Sequence, residues 1–167
     1  LGITGLADAL IMLGLAYDSN AARACAAEIL RRMRDAAYRA SIDLAQEKGP
    51  FPFLDKAAYL ESPFVRRLPA GLRAAIARHG IRNSHLLAIA PAGSISLLAN
   101  NVSNGLEPAY GFEYRRKLRL PDGSLREYSV TDYAWRHYRQ RHSSGPLPEA
   151  FVDALSLPPD AHLRMQA

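Results

Sequence analysis

Residues 82–96 read Arg82-Asn83-Ser84-His85-Leu86-Leu87-Ala88-Ile89-Ala90-Pro91-Ala92-Gly93-Ser94-Ile95-Ser96, and this stretch decides how the rest of the chain is read. Leu86 to Ala90 is a continuous apolar run without the alternation of a half-exposed strand, which predicts a strand buried on both faces. It stops at Pro91. The apolar Ile95, Leu97 and Leu98 that follow predict a helix beginning in the Pro-x-Gly-Ser-x-Ser turn. Such a junction leaves backbone N–H groups pointing forward without partners. Gly93 lets a ligand approach the backbone, Ser94 and Ser96 add hydroxyls, and the helix N-terminus favours an anion. Hydrogen bonds to a charged phosphate are worth ~1.5–3 kcal/mol each, so a few of them anchor a diphosphate with no Lys or Arg in the loop. The pattern alone equally describes an ordinary strand-to-helix turn with a serine cap.

Working outward, residues 3–15 read as an apolar, largely buried helix. Asp18 or Ser19 caps a second one, whose apolar positions (Ala22, Ala26, Ile29, Leu30, Met33, Ala37, Ala40, Leu44) recur at steps of three and four until Gly49-Pro50. Four prolines between 50 and 69 predict a loop-rich connector anchored by Phe51, Phe53, Tyr59 and Phe64. A short helix from Ala70 to His79 is stopped by Gly80. Downstream, Phe112–Leu120 and Leu125–Val130 flank a Pro121-Asp122-Gly123 turn and predict a β-hairpin. A helix from Thr131 to about Arg141 and two short amphipathic pieces, 149–155 and 160 onward, complete the chain.

The whole has 167 residues, 49% of them hydrophobic and 22% charged, a composition that suits one globular domain and excludes a disordered or collagen-like chain. No apolar stretch approaches the ~20 residues of a membrane span, so no membrane partner is expected. The net charge of +5 is spread along the chain, with 11 basic and 8 acidic residues in 1–80 and 10 and 8 in 81–167. Only Arg115-Arg116-Lys117 with Arg119 forms a basic cluster, of a kind that can face a nucleotide or nucleic acid. Strand alternation divides it between two faces, which predicts a solvated strand and makes nucleic acid an unlikely partner. Cys25, the single cysteine, falls among Ala and Arg on the second helix, as a small packed hydrophobe does; a lone thiol suits a reducing, cytoplasmic compartment. His85, His137, His142 and His162 are too dispersed to predict a metal site.

The 82–96 stretch, followed by Asn100-Asn101 and Gly105-Leu106-Glu107-Pro108, resembles the large catalytic chain of ribonucleotide reductases, where Arg-Asn-Ser, a buried strand, a Pro-Thr-x-Ser-type loop, Asn-Asn and Glu-Pro occur in this order and spacing. The Pro-x-Gly-Ser-Ile-Ser loop looks most like the adenosylcobalamin-dependent class II enzymes, as do Leu1-Gly2-Ile3-Thr4-Gly5-Leu6-Ala7-Asp8 and His162-Leu163-Arg164-Met165-Gln166-Ala167. The resemblance implies an α/β fold, a helix-rich fragment of the family's ten-stranded α/β barrel with a β-hairpin near 112–130. Residues 1–167 are then a single partial domain. It implies an oxidoreductase that converts ribonucleotides to deoxyribonucleotides by radical chemistry, with adenosylcobalamin as the cofactor of the full-length enzyme.

Carried over by position, Pro91, Ala92, Gly93, Ser94, Ile95 and Ser96 hold the substrate diphosphate, and Asn83 and Glu107 lie near the site. Glu-Pro also begins many turns, so a structural role for Glu107 is favoured. Asn100 and Asn101 are expected to bond backbone around the same corner. Ala92 stands where the family commonly has Thr, so one side-chain donor is missing. The family's thiyl cysteine lies in an Asn-x-Cys-x-Glu segment, which does not occur here, and no second cysteine supplies a redox pair. These 167 residues are therefore expected to carry no catalytic residue or metal ligand and to be inactive alone. Their expected partners are a ribonucleotide, the remainder of the reductase chain and, through exposed strand edges, a second copy of themselves. The competing readings are a stand-alone basic nucleic-acid-binding module using the 115–119 hairpin and a vestigial structural domain.

Overall fold

The computed structural model describes residues 1–167 as seven helices and one two-stranded sheet: α1 (Leu6–Met12), α2 (Asn20–Lys48), α3 (Lys56–Glu61), α4 (Ala70–His79), α5 (Gly93–Leu98), β1 (Glu113–Arg119), β2 (Leu125–Thr131), α6 (Tyr133–Arg141) and α7 (Pro159–Gln166). No helix is long and apolar enough to cross a membrane. Two compact units emerge: unit 1 comprises Leu1 and 27–88, unit 2 comprises 2–26 and 89–167.

Unit 1 is built around Tyr38 and Ile42 of α2, Val65, Leu68, Leu72 and Ile76 of α4, and Ile81, with Phe51, Leu54 and Tyr59 packed at the margin. The connector is more regular than its prolines suggest. Asp55 caps α3 by accepting from Ala58 N–H at 3.0 Å, and Val65–Arg67 forms a single 3-10 turn. Two of the four expected anchors differ. Phe53 is 94% exposed and anchors nothing; Phe64 is exposed, although its ring stacks on Tyr38 at 6.2 Å. Burial of Tyr59 and its bond with Tyr38 push its hydroxyl pKa well above the ordinary tyrosine value. Helix α4 ends where expected, at Gly80, whose φ of 77° and ψ of −164° only glycine adopts comfortably. A Cβ there would lie 2.9 Å from Pro50 Cβ.

The predicted strand at Leu86–Ala90 does not form. These residues belong to no sheet, and Ile89 is 66% exposed rather than buried. A strand exists only through its ladder, and the backbone partners in this run come from one residue: the Leu1 amino group donates to Leu86 O at 2.7 Å and Ala88 N–H donates to Leu1 O at 2.9 Å.

In unit 2, α1 is shorter than its apolar run, because Gly5 (φ 80°) precedes it and Leu13-Gly14 closes it. Ser19 rather than Asp18 caps α2, its Oγ accepting from Ala22 N–H at 3.0 Å. The hairpin forms as read, in antiparallel register from Glu113 opposite Thr131 to Arg119 opposite Leu125. Its turn is held by Gly123 N–H on Leu120 O and by Ser124 on the Asp122 carboxylate. Residues 149–155, expected as an amphipathic piece, form turns; Ala109 and Asp153 make an isolated bridge there. The two strands of the hairpin are the only sheet, so the architecture is helix-rich α/β.

Candidate functional site

The Pro91–Ser96 loop opens α5 in unit 2. Ala92 has no side-chain acceptor, so the helix starts without a side-chain cap. Ser96 N–H is the first amide to return to the helix, onto Ala92 O at 2.8 Å. The N–H groups of Gly93, Ser94 and Ile95 are left for an external acceptor. Ala92 and Ser96 are buried, whereas Pro91, Gly93, Ser94 and Ile95 are exposed. The two hydroxyls therefore differ. Ser94 is free at the surface, while the single Ser96 proton is shared between Gly93 O at 2.8 Å and Asn104 Oδ1 at 2.6 Å, both within its own corner. Ser96 shapes the loop, and Ser94 faces outward from it.

After α5 the backbone reverses through Asn100 and Asn101, both left-handed at φ 67° and 59°. Asparagine tolerates this conformation better than most residues. Asn101 Nδ2 donates to Thr131 O at 2.9 Å, fastening the corner to the end of β2. The reversal brings the 101–108 segment alongside α5. Together they enclose a cavity of about 860 Å³, whose lining includes Gly93, Ser94, Ser96 and Glu107. Every lining residue belongs to unit 2. The structure thus brings Glu107 to the loop, with its side chain exposed and its N–H closing a turn on Asn104 O at 2.8 Å. Asn83 does not line this cavity. It lies in unit 1, where its N–H donates to Ser41 Oγ and its Oδ1 accepts from that hydroxyl, both at 3.0 Å.

The cavity has further walls, among them the basic cluster marked in the sequence and three residues, Tyr110, Tyr114 and Asp132, that were not. Tyr110 and Tyr114 meet edge to face at 5.1 Å and both line it. Arg115, Arg116 and Lys117 border it from β1. All three are exposed, as expected of a solvated strand, and Arg115 is paired with Glu127 at 3.2 Å. Asp132, buried at 3% exposure, completes the wall. Its carboxyl pKa is pushed up to about 7 by burial and by the neighbouring Asp8, against the pull of the Trp135 and Ala134 amides and Arg136. Beside the cavity, Tyr17 donates to Leu106 O at 2.6 Å; burial, then the charge of Glu107, push its hydroxyl up to about 12. Cys25 is half-buried on α2, and no three His, Cys, Asp or Glu side chains gather as a metal centre would require.

The uncapped, glycine-containing start of α5 thus faces a polar cavity walled by Glu107, Asp132 and three cationic side chains, on an α/β scaffold. The family model "Ribonucleotide reductase, barrel domain" matches residues 1–166, and the chain belongs to that family. Over its whole length it is 32% identical to the vitamin B12-dependent ribonucleoside-diphosphate reductase of Mycobacterium tuberculosis and 28% identical to that of Thermoplasma acidophilum. It covers 24% and 22% of those proteins. Over 70% of its length it is 35% identical to the ribonucleoside-diphosphate reductase large chain of Encephalitozoon cuniculi, covering 16% of it. The chain thus spans about a quarter of the length of the relatives that it matches throughout.

Proposed function

We propose that these residues are the part of a ribonucleotide reductase that holds the substrate's diphosphate, in the unit 2 cavity, on the loop Pro91–Ser96. One observation carries the reading. Gly93 and Ser94, whose N–H groups have no partner in the chain, and the free Ser94 hydroxyl line the same cavity as Glu107, in a chain of the reductase barrel family; Ile95, whose N–H is also unpartnered, follows them in the loop. Such groups bind an anion through charge-assisted hydrogen bonds without a cation in the loop. Ser96, turned inward, positions the loop by tying Gly93 to Asn104. Glu107 borders the site, whereas Asn83 is held within unit 1 by Ser41 of α2 and is given no part in it.

The relatives' names support reduction of a ribonucleoside diphosphate by the whole enzyme. Both units are then parts of one barrel domain, and the apolar exposure of Ile89, Ile95 and Leu98 supports a face that other residues of the reductase cover. The lone Cys25 supports a cytoplasmic setting and leaves the radical and redox chemistry to other cysteines. These residues alone are inactive. Adenosylcobalamin is proposed for the whole reductase on the names of the full-length matches. The cavity's polar and charged lining does not fit a corrin ring, and no residue here is assigned to it.

Titration of a ribonucleoside diphosphate into the full chain and its Ser94→Ala variant tests the site. Weaker binding by the variant, about ten- to a hundredfold for one lost hydroxyl donor to a charged phosphate, is the expected result; equal affinity would refute the assignment.

A further inference from the structure

The phosphate loop leaves an electrostatic problem. A nucleoside diphosphate carries about three negative charges at neutral pH, the loop contains no Lys or Arg, and the cavity already holds the Glu107 carboxylate. Backbone N–H dipoles must then offset both the ligand and its anionic surroundings. The counter-charge comes from the hairpin. Of its basic residues, Arg115, Arg116 and Lys117 border the cavity, while Arg119 and Arg126 do not.

Their arrangement follows from topology. β1 pairs only with β2, so its other edge is unpaired. Side chains from both faces of the strand, Arg115 and Lys117 on one and Arg116 on the other, all border the cavity, which places that free edge along it. Arg115 is engaged by Glu127. Arg116 and Lys117 have no carboxylate within ion-pair distance, so their charges remain available to an external anion.

We propose that β1 is the cationic wall of the phosphate site, with Arg116 and Lys117 as its phosphate-contacting side chains. The inference rests on the phosphate reading of the 91–96 loop and adds to it the residues that supply the charge. Basic side chains on a free edge also discourage strand-to-strand pairing, and the test separates that role from ligand binding.

The experiment compares ADP, AMP and adenosine by calorimetric titration into the full chain at low and physiological salt. Arg116→Gln/Lys117→Gln is expected to weaken ADP binding about tenfold or more, AMP less, and adenosine not at all, with a shallower salt dependence of the ADP affinity. Arg115→Gln is expected to change ADP affinity less than the double variant. Unchanged ADP affinity in the double variant, with Ser94→Ala still weakening it, would overturn the cationic wall and leave the loop assignment standing. Unchanged affinity in both variants would overturn both. Increased self-association at unchanged ADP affinity would make the charges edge protection and likewise overturn the proposal.

Discussion

Asp8 of α1 and Asp132 at the start of α6 hold one helix terminus between them: Asp8 Oδ1 accepts from Ala134 N–H at 3.0 Å, and Asp132 Oδ1 accepts from Trp135 N–H at 3.1 Å. The second Asp8 oxygen accepts from Ser103 N–H at 2.6 Å. Both carboxylates are 3% exposed. Neighbouring buried carboxylates oppose each other's ionisation, so this arrangement joins the cavity wall, α1 and α6 at an electrostatic cost.

That cost sets a pH dependence. The Asp132 pKa rises from 3.8 to about 7 on folding. A raised carboxyl pKa means that the folded chain binds the proton more tightly, so this contribution to stability is complete below about pH 4 and lost as pH rises through about 7. Asp132→Asn keeps an acceptor for Trp135 N–H and removes the charge. Urea unfolding between pH 4 and 8 should show the variant gaining on the wild type by a few kcal/mol as pH rises; parallel curves would contradict it.

Asp8→Ala acts in the opposite direction on folding. It leaves the Ser103 and Ala134 amides without acceptors, at ~1–3 kcal/mol for each buried donor, and removes the charge that raises Asp132. Lower denaturant midpoints together with a lower Asp132 pKa, read by carbon NMR titration of the carboxyl, are the expected pair of effects. A stability loss without any movement of that pKa would separate the two carboxylates.

In unit 1, Ile76 is 0% exposed within the cluster around Tyr38 and Ile42. Ile76→Ala should cost about 2–5 kcal/mol by deletion and cavity formation. Gly80→Ala should cost roughly 1–3 kcal/mol, since it combines an unfavourable backbone region with the close approach of Pro50. Chemical denaturation of each variant checks both, and a neutral Gly80→Ala would contradict the backbone account.

The sequence revealed the features that depend on neighbours along the chain. The stop of α4 at Gly80, the capped start of α2 at Ser19 and the Asp122-Gly123 hairpin turn are written in a few adjacent residues, and so was the phosphate-loop candidate. Features that depend on distant partners were hidden. Leu86–Ala90 has the composition of a central strand, yet it forms no sheet because a ladder needs other strands. Phe53 looks like an anchor by residue type, but its exposure depends on how the proline-rich connector is routed. The carboxylates of Asp8 and Asp132 carry no local signal of their meeting, and the hairpin's free edge becomes visible only once β1 lies along the cavity.

Burial makes the two serines that line the cavity unequal, Ser96 being 3% exposed and hydrogen-bonded and Ser94 exposed. Ser96→Ala should lower stability by about 1 kcal/mol, by loss of its bonds to Gly93 and Asn104. Ser94→Ala should leave stability within about 0.5 kcal/mol of wild type, as expected of an exposed position, while weakening diphosphate binding. Thermal denaturation and ligand titration on the same samples distinguish the pair; equal stability losses at both positions would contradict the inward and outward orientations.

The central claim is that the amides at the start of α5 bind the substrate's phosphates. The direct measurement is a proton–nitrogen NMR titration of the full chain, labelled at these positions, with ADP and separately with adenosine. The account predicts that the Gly93, Ser94 and Ile95 amides shift downfield with ADP and not with adenosine, as charge-assisted hydrogen bonds form. Binding of ADP that shifts other amides and leaves these three in place would contradict it.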